Sequence, residues 1–367
     1  MASFTPTDEQ KMLIDTINKY ASNEVRKAAH EADETSTLPL EVVRKGWEIG
    51  VLPAGLPEAF GGLGEYSAVT NTLAVEEFAY GDLPIAMAVM NPALVGLPVQ
   101  ISGTDEQKEN LLPALGDPVP PHFTAALLEP GIAFKPHALK TTATRDGDKV
   151  ALNGVKCYVP LAEHAKMMIV YARDTETGKI DGYLVEGKAE GLSIGEQEKL
   201  MGIRALPTYR LNLNNVRVDV ACKIGGAAGT RYERLLSHSR VALASMAVGV
   251  ARAAFEYARD YAKTRVQFGV PVATKQAIAF MLAEMAIEID SARLLAWDAA
   301  WKLDAEPEVD VTQESYLAKE YADKAVLYVT DCAVQALGGH GYIREHPVER
   351  WLRNARGFAT FDGMAMI

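Results

Sequence analysis

The hydrophobic period of the chain changes twice, and that alone excludes most architectures. Up to about residue 121 apolar residues recur at helical spacing, as in Leu13, Ile14, Ile17 and Tyr20. From about 122 to 226 short β-rich runs such as "KMMIVYA" (166–172) and "YRLNLNNVRV" (209–218) alternate with turn signals. Those signals are "RDGDK" at 145, "NG" at 153, "TETGK" at 175 and "EGKAEG" at 186. They predict a mostly antiparallel β domain of sandwich or barrel type. Beyond 227 the helical spacing returns in longer stretches. In 276–304 a stripe through Ile278, Met285, Ala292 and Ala299 runs several turns. The runs 233–264 and 312–336 are similar, and together they predict an antiparallel bundle. The expectation is an α+β chain of three domains, 1–121, 122–226 and 227–367, and 367 residues are too many for one compact core.

Within the first region, Thr7 with Gln10 and Thr104 with Gln107 have the spacing of capping boxes. "LPLEVVRKGWEIGV" (38–51) reads as a short helix, "PEAFGGLG" (57–64) as a loop, and "YSAVTNTLAVEEFAYGD" (66–82) as a helix that Gly81 stops. A net charge of −11 argues against nucleic-acid or anionic-membrane partners, which need a basic face. Cys157, Cys222 and Cys332 are far apart, so a reducing, cytoplasmic setting without a disulfide framework is expected. The start, "MASFTPTDEQ", lacks the pattern of a secretory signal, and no apolar run reads as long enough to span a bilayer. The seven histidines form no metal-like pair.

Three stretches are not explained by periodicity. "TRVQFGVPV" (264–272) places Arg265, Gln267 and Phe268 before a glycine and a proline. "QALGGHGY" (335–342) has three glycines in four residues beside Gln335. Glycine pairs let backbone N–H groups approach a ligand, and a nearby arginine suits a phosphate. "ATFDGMAMI" (359–367) holds Asp362, which on its own reads as a solvated charge.

Taken in order, these stretches resemble the acyl-CoA dehydrogenase family of flavoenzymes. "PEAFGGLG", "EEFAYGD" (76–82) and "GTDEQKENLLP" (103–113) resemble its N-terminal helical domain. "EPG" (129–131) and "NGVKCYV" (153–159) resemble its β domain, and "RVQFG" (265–269) with "QALGGHGY" its C-terminal four-helix domain. The resemblance implies FAD, an acyl-CoA substrate, an electron-transferring flavoprotein and a dimer or tetramer. It places Arg265, Phe268, Gln335, Gly338 and Gly339 against a neighbouring subunit's flavin, and Leu127, Leu128, Tyr158, Val159 and Pro160 along the chain's own. It places Arg240, Phe361 and Gly363 beside the substrate. Asp362 falls on the family's catalytic glutamate, which removes the α-proton of the thioester. That step needs a positioned carboxylate with few competing waters.

The chain departs from the family pattern in one region. Aspartate is shorter than glutamate by roughly a C–C bond length, and a miss of ~1 Å can cost on the order of a hundredfold. Family branches that use aspartate include enzymes of cyclic acyl-CoA, so a bulky or cyclic acyl group is expected. The family's "TEPGAGSD" is here "LEPGIAFKP" (128–136), putting Leu128 and Phe134 where hydroxyls meet the flavin. Its "WIT" becomes Tyr158-Val159-Pro160, and Met364 and Met366 replace polar residues after the base. The neighbour-facing positions are intact. The primary expectation is an FAD-dependent acyl-CoA dehydrogenase. The alternatives are an FAD-poor subunit of a heteromeric enzyme, FAD held through backbone groups, or a non-redox lyase or isomerase.

Overall fold

The computed structural model describes residues 5–64, 66–305 and 308–367. Eight helices come first: α1 (Asp8–Tyr20), α2 (Arg26–Thr35), α3 (Leu40–Trp47), α4 (Val51–Ala54), α5 (Ala68–Gly81), α6 (Leu83–Met90), α7 (Ala93–Ser102) and α8 (Asp105–Leu111). Both capping boxes form. Thr7 and Thr104 accept the N–H of Gln10 and Gln107, whose side chains return to the cap N–H groups. Gln107 also donates to the carbonyls of Ala221 and Lys223, so the start of α8 ties the helical region to the β region. The segment 38–51 is not one helix. It breaks after Trp47, and Gly50, at φ 81°, turns the chain into α4.

The middle region is a seven-stranded sheet of β1 (Phe123–Ala126), β2 (Thr142–Asp146), β3 (Lys149–Pro160), β4 (Met167–Asp174), β5 (Ile180–Glu186), β6 (Leu192–Gln197) and β7 (Thr208–Asp219). The order is β1-β4-β2-β3-β7-β6, with β5 on the other edge of β4. Only the β1–β4 and β2–β4 pairs are parallel. Asn153-Gly154 is not a turn. It lies inside β3 at a shift in register against β7, and Asn153 Oδ1 accepts the N–H of Asn215 there. A second shift, between Lys156 and Val159, holds Tyr158 at φ 52°.

The C-terminal region is built on α9 (Tyr232–Thr264), with α10 (Gln276–Ala305), α11 (Thr312–Leu337), α12 (Gly339–Tyr342) and α13 (Val348–Ala355) around it. By length and mean hydropathy α9 could cross a bilayer, contrary to the expectation from sequence. However, 78% of its apolar window is buried inside the fold, so it is the axis of the bundle. Glu76 and Glu77 of α5 pair with Arg252 of α9, and Glu76 also with Arg293 of α10, at 2.7–3.0 Å. This buried network locks the first and last regions together. Removing one member would leave a buried charge without its partner.

Candidate active site and cofactor surfaces

The terminal turn is held between α9 and α11. Lys319 of α11 donates to the Phe358 carbonyl at 3.0 Å and pairs with Asp323 at 2.6 Å. The Phe361 ring is buried edge-on against Phe358, at 5.7 Å. The Gly363 N–H donates to Ser239 Oγ of α9 at 3.1 Å. These contacts leave Asp362 half-buried. Tyr232 feels both Asp362 and Arg240. Burial pushes its hydroxyl well up, and Asp362 adds to that while Arg240 opposes it. Arg240 is buried, with its guanidinium 5.4 Å from the Tyr316 ring. The structure therefore brings Asp362, Phe361, Gly363 and Arg240 into one neighbourhood. Beside it lies a cavity of only about 10 Å³, walled by Leu127, Tyr171, Tyr232, Gly363 and Met366. That is barely the room one water needs.

Leu127, Leu128 and Val159 are buried, in three separate apolar clusters, with Tyr158 packed against the cluster that holds Leu128. Leu128, Val159 and Met364 are 5%, 1% and 2% exposed. Leu128 and Met364 share one apolar cluster, against which Phe134 and Tyr158 pack. The backbone groups are occupied too. The Leu127 carbonyl accepts from Lys156 Nζ at 3.0 Å and the Leu128 carbonyl from the Cys157 N–H at 3.0 Å. The Tyr158 N–H donates to Glu198 Oε2 at 2.9 Å, and the Pro160 carbonyl accepts from the Thr124 hydroxyl at 2.6 Å. Lys156 is fully buried and pairs with Glu129 at 2.9 Å. Burial pushes its ammonium down to about 8, against the pull of Glu129. Burial alone would raise Glu129, but Lys156 and the Lys140 and Thr141 N–H groups hold it below its usual range. FAD, the cofactor that the family implies, would meet an apolar, packed surface at Leu128 and Met364 in this half.

Arg265, Phe268, Gln335, Gly338 and Gly339 come together at the far end of α9, around a cavity of about 550 Å³. Phe268 stands 90% exposed, with Lys275 Nζ 5.7 Å from its ring. Gly338 has φ 60° and ψ −133°, a backbone region open essentially only to glycine. A Cβ at Gly338 or Gly339 would meet nothing within 4 Å. This half fits the phosphate-bearing part of a dinucleotide: it is open, cationic and lined by backbone that can be approached.

Sequence reasoning missed a third surface, a cavity of about 580 Å³ at the start of α9. Lys179, Arg231, Arg234 and His137 line it, balanced in part by Glu233, Glu308 and Asp310. Arg231 pairs with Glu308 at 3.3 Å and His137 with Glu233 at 3.2 Å. Tyr232 and Ser237 also line it, and Tyr232 borders the Asp362 neighbourhood. The run "TRYER" (230–234) was the available signal.

The fold and these surfaces define a three-part helical–β–helical flavoenzyme scaffold. The N-terminal, middle and C-terminal domains of acyl-CoA dehydrogenases match residues 7–117, 124–216 and 212–367. The chain belongs to the acyl-CoA dehydrogenase family of oxidoreductases. It is 35% identical to a cyclohex-1-ene-1-carbonyl-CoA dehydrogenase of Geobacter metallireducens, over 98% of this chain and 96% of the relative. It is 33% identical to a 3-(aryl)acrylate reductase of Clostridium sporogenes, with the same two coverages. Among solved structures, butyryl-CoA dehydrogenase from Megasphaera elsdenii superimposes with a TM-score of 0.89 at 30% identity, covering 98% of this chain and 96% of that one.

Proposed function

We propose that the chain is one of two kinds of subunit in a hetero-oligomeric acyl-CoA dehydrogenase. It offers the neighbour-facing half of an FAD site. A related partner, polar where this chain has Leu128, Pro160 and Met364, offers the other half. The observation that carries this reading is the contrast within one chain between a closed apolar half and an open cationic one. In an assembly of identical chains every open half would face a closed one. When bound, FAD supplies the hydride acceptor for α,β-dehydrogenation of an acyl-CoA thioester, and an electron-transferring flavoprotein is the expected electron acceptor. A cyclic or bulky acyl group is supported by the likeness to the cyclohexene-carbonyl-CoA enzyme. The test is the visible spectrum and flavin content of the purified chain. Alone it should be colourless, and with its partner it should carry one FAD per pair of unlike chains. One FAD per chain in the lone protein would sink the proposal.

A second reading concerns Asp362 as a base on this chain's own side. It is favoured by a half-buried carboxylate that makes no hydrogen bond or ion pair among the described residues, on a turn pinned by Ser239. A CoA thioester entering past Arg231 and Arg234 would reach Tyr232, which also borders the small cavity at Gly363, and that cavity would have to widen for the α-proton to meet Asp362. The carboxylate would take that proton, and the negative charge would pass to the thioester oxygen. The measurement is exchange of the α-proton into D2O, followed by NMR. Asp362→Asn should abolish it. Exchange that persists in the variant would assign the base elsewhere.

A further inference from the structure

The open half contains a donor that the resemblance does not assign. Its cavity is lined by Arg265, Lys275 and His340 and by no carboxylate, although the chain as a whole carries −11. His340 Nδ1 lies 2.6 Å from the Tyr261 hydroxyl. In the tautomer where that hydroxyl donates to Nδ1, the ring proton sits on Nε2. The ring is also fixed from behind. His340 stacks on His346 at 5.4 Å and 21°, and His346 Nδ1 lies 2.7 Å from the Tyr257 hydroxyl. Tyr257 in turn stands edge-on against the buried Trp351 at 5.8 Å. Turning the His340 ring over would forfeit both the Tyr261 hydrogen bond and the stack. Two His–Tyr pairs thus form layers beneath the turn at Gly338 and Gly339, and the upper layer lines the cavity.

We propose that His340 is a phosphate-binding residue of the open half, its Nε2–H aimed by Tyr261 and the His346 stack at a phosphate oxygen of the dinucleotide. The inference rests on the reading of that half as a dinucleotide surface. Arg265 and Lys275 supply charge on flexible stems, whereas His340 supplies a donor whose direction is set before the ligand arrives, and that direction separates phosphate from an uncharged nucleoside.

The test titrates ADP and adenosine into the full-length chain by calorimetry. His340→Ala should weaken ADP about tenfold, the scale of one hydrogen bond to a charged group, and leave adenosine unchanged. Tyr261→Phe, which removes one hydroxyl and keeps the ring, should weaken ADP severalfold. Equal ADP affinity in wild type and both variants would overturn the role of His340 while leaving the open half intact. A parallel loss of ADP and adenosine would also overturn it, by making His340 merely structural. Should His340→Ala fail to fold, Tyr261→Phe decides alone, and unchanged ADP affinity there overturns the proposal. Wild-type protein that binds neither ligand would overturn the dinucleotide surface, and this inference with it.

Discussion

A side-chain carbon added at Gly338 would meet nothing within 4 Å, whereas one added at Gly363 would strike Leu127 at 2.6 Å. Both glycines have positive φ, 60° and 74°, and the resemblance puts the first beside a neighbouring subunit's flavin and the second beside the substrate. One sits in a space kept open, the other in a space filled by the chain's own leucines and methionines. Filling a slot with apolar side chains stabilises a fold by ordinary burial. Keeping one open does the opposite, because it leaves Phe268 in water and gathers cations together. A chain with no use for the open half would gain by losing it. The contrast sets two uses of space within one polypeptide side by side: one surface is filled by the chain's own apolar side chains and the other is left open.

The comparison can be broken most forcefully on the closed side. Glu129→Ala leaves Lys156 buried without its partner and should cost about 3–5 kcal/mol in urea unfolding. A loss near zero would mean that water already reaches this wall. Met364→Ala should cost about 3 kcal/mol by the same measurement, as for a packed core methionine, and much less if the slot is empty. On the open side, Arg265→Ala should leave the stability of the lone chain unchanged. It should weaken FAD in the assembled complex by tenfold to a hundredfold, about 1.4–2.8 kcal/mol, read by fluorescence titration.

A pH series sharpens the same contrast. Burial, with Arg234 adding to it, pushes His238 from 6.5 down to about 3. A folded-state value below the unfolded one favours the neutral ring. The contribution of His238 is therefore full above pH 6.5 and is lost as pH falls towards 3. By pH 5 the loss is on the order of 2 kcal/mol. His238→Asn should flatten that part of the profile, measured by thermal unfolding; an unchanged slope would show that the ring is hydrated. The smallest effect belongs to Phe268→Ala, which should shift the stability of the lone chain by less than about 0.5 kcal/mol.

Local chemistry was legible in the sequence wherever it was self-contained. Thr7 with Gln10 and Thr104 with Gln107 cap their helices because the partners are three residues apart. The long stripes of α9, α10 and α11 emerged as helices because their apolar period persists over many turns. Asn153-Gly154 misled, since a pair that favours a hairpin turn is also tolerated where a strand shifts register, and only pairing with β7 decides between the two. The composition of the closed wall was readable residue by residue, but its closure was not. That depends on Met364, more than 200 positions away, joining the cluster that holds Leu128, and on Glu198 claiming the Tyr158 N–H. Lys275 and the two His–Tyr pairs were invisible for the same reason, as Tyr261 and His340 are 79 positions apart.

The helix α9 carries Ser239 and Arg240 near its beginning and Tyr261 near its end, with Arg265 just past it. At 1.5 Å per residue, the stretch from Arg240 to Tyr261 is about 30 Å of continuous helix. It acts as a gauge bar: the spacing between the two flavin-related surfaces is cut into one continuous helix rather than left to the packing of separate parts. A single residue inserted midway would lengthen the bar by only about 1.5 Å but turn one end by about 100° relative to the other. In the proposed assembly, the partner's surfaces would have to match the same spacing.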